Sequence, residues 1–365
     1  MANTNTVRIS INYVQIGMIC AENVFNSSGL LLVPKQASLT QIHLFRMKLY
    51  QIMSILVYTT DDIDFISFSK TTMANKRNKL DYNKNYQSFL SAYHIGINTL
   101  KKLFPQVLNK ESSIRDEFLL LCNNITQTLS SPNDLFAYLF HLSSNPQKDT
   151  THEHCLNVGL LCRIIGSWLR MTEDQLDELS ICGLLHDFGK LDIDTSILRK
   201  SGKLTAKEYD LIKDHPFNGY QHIKSTNFTY GVKMAVLQHH ERFDGSGYPF
   251  GFCEEQIHDN AKIVAIADIY DAMTSDRSYH KRMHPFKVIA IFEKEAYGVL
   301  DSHFLKVFLE NLALLYVGKS VILTNGDTGK IVFINRKAPS RPLIQVGSKI
   351  YNLEFEHGIE VTDVL

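Results

Sequence analysis

The sequence predicts a mainly α-helical protein in three parts. An all-helical bundle over residues 110–315 is flanked by a small N-terminal regulatory domain (1–68) of α/β or β-rich character and a β-rich C-terminal extension (316–365). A linker and connecting helix over 69–109 joins the first two. Three observations lead to this division. Apolar residues recur with helical spacing from about residue 85 to 315, whereas short Val/Ile/Leu runs bounded by turn residues dominate on either side. Two capping-box patterns, Thr172-x-x-Gln175 and Thr205-x-x-Glu208, stand in front of helical runs. The turn Asn325-Gly326-Asp327-Thr328-Gly329 separates two β-type runs further on.

In chain order, Gly17, the turn Asn26-Ser27-Ser28-Gly29 and the run from Leu30 to Val33 before Pro34 predict β-hairpin content, with an amphipathic helix near 40–52. Residues 69–84 carry Lys70, Lys76, Arg77, Lys79 and Lys84 among Asn and Thr, a linker composition. The helix starting near 173 runs through Leu176, Leu179, Cys182 and Gly183 and delivers His186 and Asp187 at its C-terminal end. The helix starting near 206 carries Tyr209, Leu211 and Ile212 ahead of His215, with Pro216 behind it. From Ile257 to Thr274 the pattern is helical again, and Asp268 sits among Ala265, Ile266, Ala267 and Ala272. A carboxylate on so apolar a face needs a strong partner. Val321-Ile322-Leu323 and the run from Ile331 to Ile334 then form a hairpin, and Pro342 to Val346 a further strand.

Composition narrows the function classes. With 365 residues, 44% of them hydrophobic, the chain has room for two or three cores. Its 38 basic and 38 acidic side chains give a net charge of +0, which argues against duplex nucleic acid as a partner and leaves room for a local cationic pocket that takes a small phosphate ester. No stretch approaches the ~20 apolar residues of a membrane span, and the start, Met-Ala-Asn-Thr-Asn-Thr, lacks signal-peptide character, so a cytoplasmic location is expected. The six cysteines contain no Cys-x-x-Cys pair; they read as buried thiols in a reducing compartment and exclude a zinc finger.

Histidine is the informative residue type, because 11 of the 15 fall between His141 and His284. His154, His186, Asp187, His215, His239, His240 and Asp268 come from separate segments of helical pattern, each able to point a ligand into a bundle core. Neutral imidazoles with carboxylates suit iron, manganese, nickel or zinc. Two such ions at ~3.5 to 4 Å activate a hydroxide and stabilise both oxygens of an in-line displacement at a phosphodiester. After the double histidine, Gly245 and Gly247 let the backbone turn sharply and approach a ligand, Tyr248 offers a phenol and Pro249 stiffens the exit.

At these residues the resemblance is specific. His154, His186-Asp187 and Asp268 resemble the HD superfamily of metal-dependent phosphohydrolases. The runs from His186 to Lys190 and from His239 to Pro249 are similar to its HD-GYP branch, over roughly residues 110–312. The stretches from Ile197 to Thr205, from Lys213 to Pro216 and from Ala267 to Arg277 extend the likeness. The resemblance implies an HD-type helical bundle in which one metal is held by His154, His186, Asp187 and Asp268 and its neighbour by Asp187, His215, His239 and His240, with Asp187 bridging. It implies that Lys190 contacts a phosphate oxygen and that Gly247, Tyr248 and Arg277 face the substrate. It also implies hydrolysis of cyclic di-GMP to linear pGpG, in some members on to GMP, or of cyclic GMP-AMP, by a hydroxide between the two metals. Iron or manganese is favoured there over nickel or zinc, and the connector is a candidate homodimer contact.

Two positions depart from that pattern. Thr150 stands where some members carry a glutamate ligand for a third metal, so two metals are expected; His280 replaces a frequent Arg or Lys, which weakens one phosphate contact or makes it pH-dependent. Two other function classes fit the same residues: a cyclic-dinucleotide receptor without turnover, and an HD phosphohydrolase acting on another nucleotide. Retention of all seven ligand-type residues favours the enzyme over the receptor, and the Gly-Tyr-Pro turn favours a cyclic dinucleotide.

Overall fold

In the computed structural model of the chain, the structure describes residues 5–10, 17–25, 29, 31–40, 43, 47, 52, 54–59, 67–109, 114–142, 150–198, 205–275 and 283–365, with backbone alone for 67–83. The chain divides into two compact units, Met1–Tyr82 and Asn83–Leu365. In the first, β1 (Asn5–Ser10) pairs antiparallel with β4 (Ser54–Thr59), from Asn5 opposite Thr59 to Ser10 opposite Ser54. Strand β2 (Val24–Phe25) pairs with β3 (Leu31–Val33) across the expected turn. Cys20, Val24, Leu32, Val33, Leu39, Met47, Ile55 and Val57 form its core. Asn26, Ser27 and Ser28 and most of the helix expected near 40–52 lie outside the described residues.

The stretch read as a polar linker, 69–84, is helical backbone, part of α1 (Ser67–Leu108). Residues 69–84 contain no Gly or Pro, so nothing in their sequence interrupts the i to i−4 ladder. Further on, α1 becomes amphipathic, and Phe89, Tyr93, Ile97, Leu100, Phe104 and Val107 join the main core. The boundary expected near residue 110 therefore falls inside one continuous hydrophobic cluster.

That core is built from α2 (Ile114–Thr126), α3 (Pro132–Leu142), α4 (Thr150–Trp168), α5 (Glu173–Leu185), α6 (Thr195–Leu198), α7 (Ala206–Lys213), α8 (His215–Ile223), α9 (Tyr230–Gln238), α10 (Asp259–Thr274), α11 (Pro285–Glu295) and α12 (Ser302–Leu314). Both capping boxes are formed: Thr172 accepts from the Gln175 amide and Thr205 from the Glu208 amide, which starts α5 and α7 where the sequence places them. Helix α4 lies against α5 and α10, so three of the donor-bearing segments meet at the centre of the bundle.

The last part is a five-stranded antiparallel sheet in which the strands Lys349–Asn352, Leu343–Val346, Thr328–Phe333, Ser320–Leu323 and Val361–Val364 lie side by side in that order. The expected hairpin is β5 (Ser320–Leu323) with β6 (Thr328–Phe333), turning at Gly326 with φ +85°, and the expected third strand is β7 (Leu343–Val346). Two strands not foreseen, β8 (Lys349–Asn352) and β9 (Val361–Val364), complete it. Val321, Leu323, Ile331 and Ile344 belong to the same core as the helices, and Ser340 donates to the Glu293 carboxylate of α11. Alternation along the strands buries one face only, which suits a sheet laid over helices. Among the described residues no helix is long and apolar enough to cross a membrane.

Candidate metal centre

Six of the seven predicted donors sit where a helix begins or ends, or in its first turns. His154 is in the second turn of α4; His186 caps the C-terminus of α5 and Asp187 opens the short 3-10 turn Phe188–Asp192. His215 opens α8, and His239 caps α9 with His240 next in line. Asp268 alone projects from mid-helix, in α10. Gly189 makes the junction possible: a Cβ there would lie 2.0 Å from the His215 carbonyl oxygen, so the 3-10 turn rests directly on the α8 backbone. His186, His215 and His239 are fully buried and Asp187 is 2% exposed.

The ring tautomers follow from the helix ends. His186 Nδ1 is 2.7 Å from the Gly183 carbonyl, His215 Nδ1 2.6 Å from that of Ile212, and His239 Nδ1 3.0 Å from that of Val236. A carbonyl only accepts, so in each ring Nδ1 carries the proton, which satisfies a last-turn carbonyl and leaves a bare lone pair on Nε2. All three lone pairs converge on Asp187. His215 Nε2 is 3.1 Å from Oδ1, His239 Nε2 3.8 Å from Oδ1, and His186 Nε2 3.5 Å from Oδ2. The Nε2 atoms of His215 and His239 face one another at 3.2 Å. Lone pairs opposed at this distance repel unless a cation lies among them. Buried Asp187 Oδ1 and His186 Nε2 likewise have no hydrogen-bond partner among the described residues. The donor set therefore fits divalent metal.

Donor atoms within 4.8 Å of one another form two groups sharing Asp187: Asp187 with His215, His239 and His240, and Asp187 with His154 and His186. Asp268 stands beside the second group, its Oδ1 2.9 Å from His154 Nε2. Protonation states suit ligation at the first group. Burial, and then neighbouring histidines, hold His239 well below its ordinary value; burial brings His240 down to about 3, so both are neutral imidazoles. Burial favours a protonated Asp187, but the Lys190 ammonium outweighs it and holds the carboxyl well below the usual range. At His154 burial acts downward, yet hydrogen bonds to Asp268 and Asp271 prevail and bring it to about 9 in the absence of metal.

Lys190 Nζ lies 2.5 Å from Asp187 Oδ2, with its side chain 23% exposed. The Tyr248 ring stacks on His240 at 4.6 Å and 28°, and Lys213 Nζ is 5.5 Å from the Tyr248 centroid. Gly247 lets this loop lie flat on the donor segment: a Cβ there would meet Arg242 N and Glu241 Cα at 2.4 Å. Arg277 and His280 lie outside the described residues, and Thr150 opens α4 with its side chain likewise undescribed.

Sequence reasoning missed two supports. Asp271 Oδ2 accepts from His154 Nδ1 at 2.7 Å; its signal was available, since Asp268 and Asp271 are three apart on one apolar helix and share a face. Glu241, 3% exposed, accepts the Phe250 amide at 2.9 Å and the Phe252 amide at 3.1 Å, which clamps the Gly-Tyr-Pro loop to the donor segment. Glu241→Gln replaces one accepting oxygen by a donor and strands one of these amides. Thermal unfolding should show a loss of about 1–3 kcal/mol; an unchanged midpoint would show that the clamp contributes nothing.

Known proteins are similar to this chain. Residues 133–303 match the family model of the HD domain. The cyclic di-GMP phosphodiesterase PA4108 of Pseudomonas aeruginosa is 33% identical over 219 residues, 60% of this chain and 52% of that protein, so the chain spans about half its length. The cyclic di-GMP phosphodiesterase PdeB of Borreliella burgdorferi is 24% identical over 286 residues, 77% of this chain and 75% of the relative. Among solved structures, Bd1817, a HDG"Y"P protein from Bdellovibrio bacteriovorus, superimposes with a TM-score of 0.51 at 18% identity, over 83% of this chain and 98% of that one, which supports the fold. Residues 133–303 thus match the HD domain, and the chain is similar to cyclic di-GMP phosphodiesterases.

Proposed function

We propose that the chain hydrolyses cyclic di-GMP to linear pGpG, with further cleavage to GMP as a second step, in the cytoplasm and with two divalent metals, iron or manganese ahead of nickel or zinc. The observation that carries this reading is the convergence of unprotonated Nε2 atoms on the ionised Asp187 inside a bundle. In this reading His154, His186, Asp187 and Asp268 hold one ion, and Asp187, His215, His239 and His240 the other. When bound, the pair supplies an activated hydroxide and Lewis acidity at the phosphorus.

The remaining contributions come from the chain. The ammonium of Lys190 is fixed beside Asp187, partly open to solvent, and stabilises negative charge that develops on a phosphate oxygen. Tyr248, ordered by its stack on His240 and by the flat Gly247 backbone, presents its phenol beside the donors and fixes the sugar-phosphate ring of the substrate. Arg277 is proposed to take the second phosphate. The connecting helix is the proposed homodimer surface, because Ile95 and Leu108 are exposed on it; sedimentation equilibrium tests this.

The test is to purify the chain anaerobically with iron or manganese and follow cyclic di-GMP and cyclic GMP-AMP by chromatography. Conversion of cyclic di-GMP to pGpG, abolished by a chelator and restored by metal, is the expected result. Tight binding of cyclic di-GMP without cleavage would overturn the enzyme reading in favour of a receptor. Cleavage of cyclic GMP-AMP alone would reassign the substrate.

A further inference from the structure

We propose that Tyr93, Asn157 and Asp271 form a positioning relay that sets His154 for metal and ties its metal occupancy to the connecting helix α1. The proposal rests on the reading of His154 as a metal donor. The hydroxyl of Tyr93 lies 2.6 Å from Asn157 Oδ1, Asn157 Nδ2 donates to Asp271 Oδ1 at 2.8 Å, and Asp271 Oδ2 faces His154 Nδ1 at 2.7 Å. All three residues are buried, at 1%, 7% and 4% exposure.

The relay has one polarity. Burial pushes the Tyr93 phenol well above its ordinary value, so it is neutral and its O–H donates. The Asn157 amide must then accept through oxygen and donate through nitrogen. Asp271, acceptor only, takes the amide proton on one oxygen and the His154 Nδ1 proton on the other. With the Nδ1 proton held by Asp271, the nitrogen His154 offers to metal is Nε2, which lies 2.9 Å from Asp268 Oδ1 and 3.8 Å from Asp187 Oδ2. Unlike His186, His215 and His239, which lean on backbone carbonyls three residues back, His154 takes its orientation from two other helices. One of these is α10; the other is α1, whose first residues belong to the N-terminal unit. A displacement of α1 that breaks the 2.6 Å bond frees the Asn157 amide to turn and removes the constraint on Asp271. A purely structural polar cluster predicts only a change in stability; a relay predicts a change in one metal step.

The experiment is an anaerobic titration of the metal-free full-length chain with Mn²⁺ against a chromophoric chelator, resolving two binding steps. Tyr93→Phe and Asn157→Ala should each weaken one step by about 10- to 100-fold and leave the other in place. The double variant should be no weaker than Asn157→Ala, because both act through one path. By reciprocity, Mn²⁺ should slow amide exchange in α1 around Tyr93 in the parent chain and not in Asn157→Ala. Should Asn157→Ala fold too poorly to titrate, Tyr93→Phe, which keeps the ring and loses one oxygen, decides alone. Two unchanged binding steps with a lowered unfolding midpoint overturn the relay. A parent chain that takes no metal overturns the metal reading and the relay with it. A chain that shows the relay in titration yet leaves cyclic di-GMP intact overturns the proposed hydrolysis alone.

Discussion

Asp187→Ala is expected to leave at most one weakly held metal per chain and to abolish turnover, a loss exceeding the about 10- to 100-fold that follows removal of a supporting residue. The geometry makes Asp187 common to both donor groups, with one oxygen toward His215 and His239 and the other toward His186 and Lys190. Without it, Lys190 faces a ring of histidines with no counter-charge. Breaking one partner of a buried pair costs roughly 3–5 kcal/mol, and less here because Lys190 retains some access to water. Metal binding and folding are linked, so metal content by mass spectrometry and the unfolding midpoint should fall together. Unchanged metal stoichiometry would contradict the assignment of Asp187 as the shared ligand. Asp187→Asn separates charge from shape: it keeps the volume and should lose metal almost as completely.

Lys190→Met is expected to act in the opposite way on metal and on rate. Removing a cation 2.5 Å from the shared carboxylate makes the centre more electron-rich, so metal affinity should stay constant or rise. The positive charge available to a phosphate in the transition state is lost, and kcat should fall about 10²- to 10³-fold. Methionine keeps much of the apolar stem, which isolates the charge from its packing. The split between metal titration and kcat is the readout. If both fall in parallel, Lys190 is a structural partner of Asp187 and has no role of its own in the reaction.

The candidate donors were legible because local chemistry marks them. A capping box at Thr172 fixes where α5 starts, and the length of its apolar run fixes that His186 and Asp187 arrive at its end. Asp268 stood out as a carboxylate on an apolar face. The organisation around the centre was less legible. Residues 69–84 read as linker because they bear no apolar stripe, although nothing in them breaks a helix. The C-terminal strands read as an appendage because alternation reports a half-buried sheet without reporting what buries it; the inner face lies on the helical core. Asn157 and Tyr93 carried no signal at all, since a single Asn or Tyr in an amphipathic helix is unremarkable until its partner, 64 residues away, is known.

By itself the sequence singled out which side chains could bind metal and placed His186, Asp187 and His215 near helix ends. Tertiary structure decided which nitrogen of each imidazole is offered, how the donors divide about Asp187, and what holds His154 in place. The reason is that a histidine's two nitrogens are equivalent on paper. A backbone carbonyl three residues back settles the choice for His186, His215 and His239, whereas for His154 it is settled by a carboxylate 117 positions further along the chain.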